Sequence, residues 1–209
     1  MLGCSLSITG FLLVFAGGAA MGADEPSDVD VTKEAAKAEY VRLTQEIEKL
    51  ASRNAWAGVE RTYLAILETG VAPSFSDHVA GAQSARVVGD TALTHRRLSA
   101  ATELQEDSDV MDWLWEIDSN YGKVYLVCDL NPKNPMALTA GAMPFDPAMA
   151  SSVRYAVAQV SEGCLFDGFL PKGSYTFGPK DFSVVPRIQS VRLDFRNLNG
   201  SKKSKKPKK

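Results

Sequence analysis

Residues 54–104 read NAWAGVERTYLAILETGVAPSFSDHVAGAQSARVVGDTALTHRRLSAATEL, and the fold class turns on how this stretch is parsed. Trp56, Val59, Tyr63 and Ile66 recur at steps of three and four, so they line one face of a helix and need a covering element. Gly70 suits the left-handed conformation just past a helix end, and Pro73 keeps the helix from resuming. Ser74-Phe75-Ser76-Asp77 then offers a hydroxyl and a carboxylate to the free amides of a new first turn. Phe75, Val79, Ala82 and Ala85 form the inner face of that helix. After Gly89-Asp90, the residues Thr94, Leu98, Ala101 and Leu104 mark the next.

The flanking segments extend the pattern. Lys33 to Ser52 carries a narrow apolar stripe of Tyr40, Leu43, Ile47 and Leu50, with alternating charges on its remaining face. Asp107 to Tyr121 places Val110, Leu114, Ile117 and Tyr121 on one side, and Gly122 is the expected stop. Five helices in sequence with short joins describe an array of antiparallel helical hairpins over residues 33–122.

Within this array Trp56, Val59, Tyr63 and Ile66 fall where a tetratricopeptide repeat places an aromatic, a small, a large and another small residue. Gly89, Leu98 and Ala101 resemble the same first-helix pattern a second time. Val59 and Ile66 are larger than the Ala usual in that family, which implies looser helix–helix packing. The resemblance implies a protein-interaction scaffold with a concave surface, displaying aromatics such as Trp113 or Trp115.

Beyond Gly122 the period changes. Lys123 to Asp129 is a continuous apolar run, expected as a strand covered on both faces. Leu130 to Pro144 reads as loop. Asp146-Pro147 is a good helix start, so Ala148 to Ser161 is expected as a helix with Met149, Val153, Ala156 and Val160 inward. An alternating strand over Val153 to Val157 is the other reading. The stretch Phe166 to Phe177, with Leu170, Pro171, Gly173 and Tyr175, resembles the hairpin of transthyretin-like, carboxypeptidase-regulatory-type β modules. That resemblance implies a tight turn with positive φ at Gly173 and Tyr175 packed inward. Phe182 to Val185 and Ile188 to Arg196 complete a small antiparallel set, the last alternating Val191, Leu193 and Phe195 inward with charges outward. The expected class is α+β: N-terminal tetratricopeptide-like hairpins, then a β-rich subdomain over residues 123–196 containing one helix.

The termini differ in kind from this body. Residues 1–23 hold no charge and centre on an apolar run from Ile8 to Phe15, followed by small residues, which is signal-peptide composition although no basic residue precedes the run. The run is too short to serve as a bilayer span. Cleavage after Gly22 or Ala23 would expose an acidic linker over residues 24–32. Two cysteines then remain, Cys128 and Cys164. In an exported chain they are a candidate disulfide, the other reading being two buried thiols. Residues 197–209 form a tail in which Ser201 to Lys209 supplies six of the 23 basic residues. A run of that composition is expected to be disordered. It makes the rest of the chain more acidic than the net charge of −2 suggests.

The inventory for chemistry is thin. His78 and His95 have no metal-ligand spacing, and no phosphate-cradling Gly loop, nucleophile elbow or dinucleotide fingerprint occurs. The acids Glu103, Glu106, Asp107, Asp109, Asp112, Glu116 and Asp118 lack the spacing of a calcium loop and read as helix-start and solvated residues. The expectation is therefore no catalytic, cofactor or metal residues, and no nucleic acid as natural target for an exported chain with an acidic body. After processing no transmembrane segment is expected. The functional expectation is a secreted or periplasmic, non-enzymatic protein-interaction or scaffold protein of a bacterial-type cell envelope. The alternative is a surface-binding module that attaches to an anionic envelope polymer or lipid through the β subdomain or Lys-rich tail.

Overall fold

The computed structural model describes residues 28–130, 135–188 and 190–196. The leader assigned to residues 1–23 and the tail at 197–209 lie outside the described residues. The chain is α+β, with helices α1 (Asp28–Ala51), α2 (Trp56–Glu68), α3 (Phe75–Val88), α4 (Thr91–Leu104) and α5 (Ser108–Asn120) first. Strands β1 (Tyr121–Cys128) and β2 (Leu138–Ala140), helix α6 (Pro147–Gly163), and strands β3 (Leu165–Pro171), β4 (Gly173–Phe177), β5 (Lys180–Val184) and β6 (Val191–Phe195) follow.

Helix α1 begins inside the segment read as an acidic linker, so residues 28–32 are helical and only 24–27 stay undescribed. Asp is well suited to a helix N-terminus, and nothing in Asp28-Val29-Asp30-Val31 breaks a helix. The join to α2 uses Asn54 at φ +55, a conformation Asn tolerates better than most residues. At the start of α3 the Ser74 hydroxyl accepts the Asp77 amide while the Asp77 carboxylate accepts the Ser74 amide, a full capping box. Asp90, Asp107 and Asp146 cap α4, α5 and α6 in the same sense, each carboxylate accepting an amide of the first turn. Consecutive helices of the array pack on one another. Gly81 brings α3 close to α2, since a Cβ there would meet the Tyr63 ring at 2.8 Å.

The strands form two three-stranded sheets, β3-β1-β6 and β2-β4-β5. Their inner faces and α6 share one core in which Val124, Leu126, Val153, Ala156, Leu170 and Phe177 are excluded from water. Four features depart from the expected β region. Helix α5 passes straight into β1 at Tyr121, so Gly122 does not stop the helix but sits in the strand, where an added Cβ would meet Val184 Cγ1 at 2.7 Å. A short strand, β2, lies within the segment read as loop, Leu138 pairing with Phe177.

The third departure is that Phe166 to Phe177 is not a hairpin. β3 pairs antiparallel with β1, from Tyr121↔Pro171 to Val127↔Leu165, whereas β4 pairs with β2 and β5. The chain turns a corner at Lys172, whose amide donates to the Asn120 carbonyl at 2.8 Å, and the Tyr175 hydroxyl ties back to the Pro171 carbonyl at 2.8 Å. Turn residues produce a bend but do not choose the partner strand, and β1 has claimed β3. The two-residue hairpin lies further on, between Phe177 and Lys180, with Gly178 at φ +57 followed by Pro179.

Finally, β6 runs parallel to β1, from Val124↔Val191 to Cys128↔Phe195, so the set is not purely antiparallel. Val184 ends β5 beside Gly122, at the start of β1, so a strand entering after a short connection runs in the direction of β1. The Val191, Leu193 and Phe195 side of β6 is half-buried against the core, and Arg192, Asp194 and Arg196 face water.

The helical array and the β region meet along a continuous contact. An apolar cluster joins Ala82, Leu98, Ala101, Val110, Ile117 and Tyr121 to Met149 of α6 and Phe169 of β3. Beside it, Thr91 and Ser152 share a hydroxyl–hydroxyl bond of 2.7 Å, and the Tyr155 hydroxyl donates to Asp90 Oδ2 at 2.9 Å. Gly89, at φ +98, closes α3 directly against the backbone of α6 at Ser151.

Candidate functional site

The helical array contains a buried polar seam. Arg97, on the inner face of α4 between Thr94 and Ala101, is 5% exposed. Its guanidinium forks onto both Glu60 oxygens, with Nη2 at 2.7 Å from Oε1, and also donates to the Gly81 carbonyl at 2.6 Å. It lies 4.2 Å from the Tyr63 ring centroid, and Ser84 donates to Glu60 Oε2 at 2.6 Å. Arg97 thereby holds the Glu60 carboxyl below the usual carboxylate range. A second strand of the seam joins Tyr63 to His78 Nδ1 at 2.9 Å, and burial lowers the affinity of His78 for a proton. Asp77 is fully buried, and its Oδ2 accepts from Tyr40 Oη at 2.8 Å and from both Ser74 groups. Most of these groups bond to one another, but Asp77 Oδ1 is buried without a hydrogen-bond partner. The seam fixes how α1 to α4 are seated.

The residues chosen from the tetratricopeptide-like pattern are dispersed over two helices and a cap. Val59, Ile66, Leu98 and Ala101 are completely buried and Tyr63 nearly so. Trp56 is half-buried at the start of α2, packed against the cluster of Leu43, Ile47 and Val59. Gly89 is the left-handed cap of α3. At the corner, Leu170 and Tyr175 are buried, Pro171 ends β3, and Gly173 opens β4 at φ +156. Cys128 and Cys164 are joined as a disulfide with Cα atoms 5.2 Å apart, tying the end of β1 to the cap of α6. His78 and His95 face different neighbours: His95 lies 3.3 Å from Asp118 Oδ1 and stacks on Phe169. No group of three or more metal-ligating side chains converges among the described residues.

The surface offers more than the seam. Trp113, expected to be displayed, is half-buried under Arg86, which lies 4.9 Å from its ring centroid. Trp115 is 64% exposed and Met111, one turn earlier on the same face of α5, is 54% exposed. Asp109, Asp112 and Asp118 surround them in water. Reasoning from sequence missed the Glu60–Arg97 pair. Its signal was an Arg standing on the apolar face, three residues after Thr94 and four before Ala101.

No family model matches the chain, and neither the characterised proteins nor the solved structures compared with it show a significant similarity. No described helix is long and apolar enough to cross a membrane.

Proposed function

We propose that the chain is an exported, non-enzymatic protein-interaction or scaffold protein of a bacterial-type cell envelope, its helical hairpins acting in the manner of tetratricopeptide-like repeats. The observation that supports this most directly is the outer face of α5, where Trp115 and Met111 stand in water one turn apart among carboxylates. Aromatic side chains and Met dominate the buried centres of protein interfaces, whereas acids supply the polar rim. Such a face suits a partner segment that is both apolar and basic. Val110 and Ile117, buried on the opposite side of α5, seat that face on the helical array and lower the ordering cost of binding.

The test is a photo-reactive residue at position 115 of the intact chain, irradiated in the native host. A discrete protein adduct that survives deletion of residues 197–209 supports the reading. The surface-attachment alternative, favoured by the six Lys of the tail, gains instead if that deletion releases the chain from the envelope fraction and Trp115→Ser does not. Absence of any adduct at 115 overturns the scaffold reading.

A further inference from the structure

Beyond the C-terminal turn of α5, the chain forms a cleft of about 280 Å³ between the end of that helix, the start of β1, β3 and the β5–β6 connection. Its lining combines Asp118, Lys123, Phe169, Arg187 and Ile188. We propose that this cleft binds a small organic acid, a single carboxylate carried on a flat apolar body.

Lys123 and Phe169 are directly opposed across the β1–β3 ladder, so the ammonium and the ring rise side by side from the same face of the sheet. Lys123 is exposed and has no ion-pair or hydrogen-bond partner among the described residues. Arg187 donates one bond, to Ser119 Oγ at 3.1 Å, and most of its fork stays unspent. Asp118 is the one carboxylate in the lining, and it is turned to His95 Nε2 at 3.3 Å. Two cations against one acid leave an excess of one positive charge, which matches a monoanion better than a doubly charged phosphate. A planar guanidinium receives a carboxylate through two parallel bonds, and the neighbouring ammonium adds a point charge.

Phe169 is backed by the His95 ring, their centroids 5.7 Å apart, so its position does not depend on a ligand. Ile188 is 77% exposed at the rim, an apolar side chain with little of its surface covered. A flat apolar body between Phe169 and Ile188 would cover both. Arg187 sits at φ +61, in the left-handed region that non-Gly residues avoid. Pro186 precedes it in a turn, and a positive φ after Pro sets the direction in which the Arg187 side chain leaves the connection.

Benzoate is the probe, titrated into the full chain and followed by amide chemical shifts, with benzyl alcohol as the neutral analogue and inorganic phosphate as the compact anion. Saturable shifts at Gly122, Lys123 and Phe169 are expected with benzoate alone. Arg187→Gln and Lys123→Gln, both at exposed side chains, should each weaken benzoate by about tenfold, as expected for a lost charge-assisted bond. Arg187→Gly should relieve the positive φ, raising the melting temperature while weakening benzoate as much as Arg187→Gln does. The proposal is overturned if benzoate does not saturate, if benzyl alcohol binds equally well, or if Arg187→Gly binds benzoate as tightly as the unaltered chain. Phosphate saturating the same amides more tightly than benzoate would likewise replace the organic acid with a compact anion.

Discussion

Arg97 of α4 and Glu60 of α2 hold each other by a two-point ion pair, with the guanidinium 5% exposed and 4.2 Å from the Tyr63 ring. Glu60 keeps some contact with water, so the two charges are not equally sealed. Removing the carboxylate strands a buried cation, which costs more than the pair contributes over an apolar replacement. Glu60→Ala is therefore expected to destabilise the chain by about 3 kcal/mol in urea unfolding. Arg97→Lys keeps the charge but loses the fork and should also be destabilising. If Glu60→Ala unfolds within experimental error of the parent, the seam does not hold α2 to α4.

The same seam sets the response to acid. Burial depresses the folded-state proton affinity of His78, so the unfolded chain binds that proton first, and stability falls as pH drops below about 6.5. Glu60 is depressed by Arg97, so its contribution is complete above the unfolded carboxyl pKa of about 4.3 and is lost as pH falls through the lower folded value. Two separate declines are expected in thermal melts taken from pH 8 to pH 3. His78→Asn should remove only the upper one and Glu60→Gln only the lower. A single decline, insensitive to both variants, would contradict this assignment.

Position on the α2 face decides which apolar residue matters most. Ile66 is completely buried and Trp56 is half-buried. Ile66→Ala should cost about 3–4 kcal/mol, transfer and cavity together, and Trp56→Ala about 2 kcal/mol despite the larger side chain. Denaturant melts with the order reversed would mean that α2 is rotated about its axis relative to this description.

The helices were legible because their signals are local. The three-and-four spacing of Val59, Tyr63 and Ile66, the Ser74–Asp77 box and the Asp146-Pro147 start each act within one or two turns, and the structure has the elements there. The β region was legible as strands, apart from β2, but not as pairings. Leu170-Pro171-Lys172-Gly173 announces a bend, yet whether β4 returns along β3 or crosses to another sheet depends on β1, which begins some fifty residues earlier. The parallel placement of β6 depends likewise on where β5 ends. The Glu60–Arg97 pair spans 37 positions and has no local pattern at all. The cleft beside Arg187 draws on three separated segments, and only a positive φ, invisible in composition, marks the Arg as unusual.

Two glycines separate backbone strain from tertiary contact. Gly70, at φ +73, has nothing within 4 Å of an added Cβ, whereas Gly89, at φ +98, would press that atom into the Ser151 carbonyl and the Ser152 amide of α6. Both substitutions by Ala carry the left-handed penalty of about 1–2 kcal/mol. Only Gly89→Ala adds overpacking, about 1–3 kcal/mol more, because the atom it meets is backbone and cannot rotate away. The harm should also travel. Pushing α6 from the α3–α4 turn strains the Thr91–Ser152 and Asp90–Tyr155 bonds, and α6 carries Val153, Ala156 and Val160 in the core shared by both sheets. Hydrogen exchange should therefore quicken in α6 and in β1 for Gly89→Ala, and only around the end of α2 for Gly70→Ala. Equal costs for the two variants, with exchange in α6 unchanged, would mean that the helical array and the β region do not fold as one cooperative body.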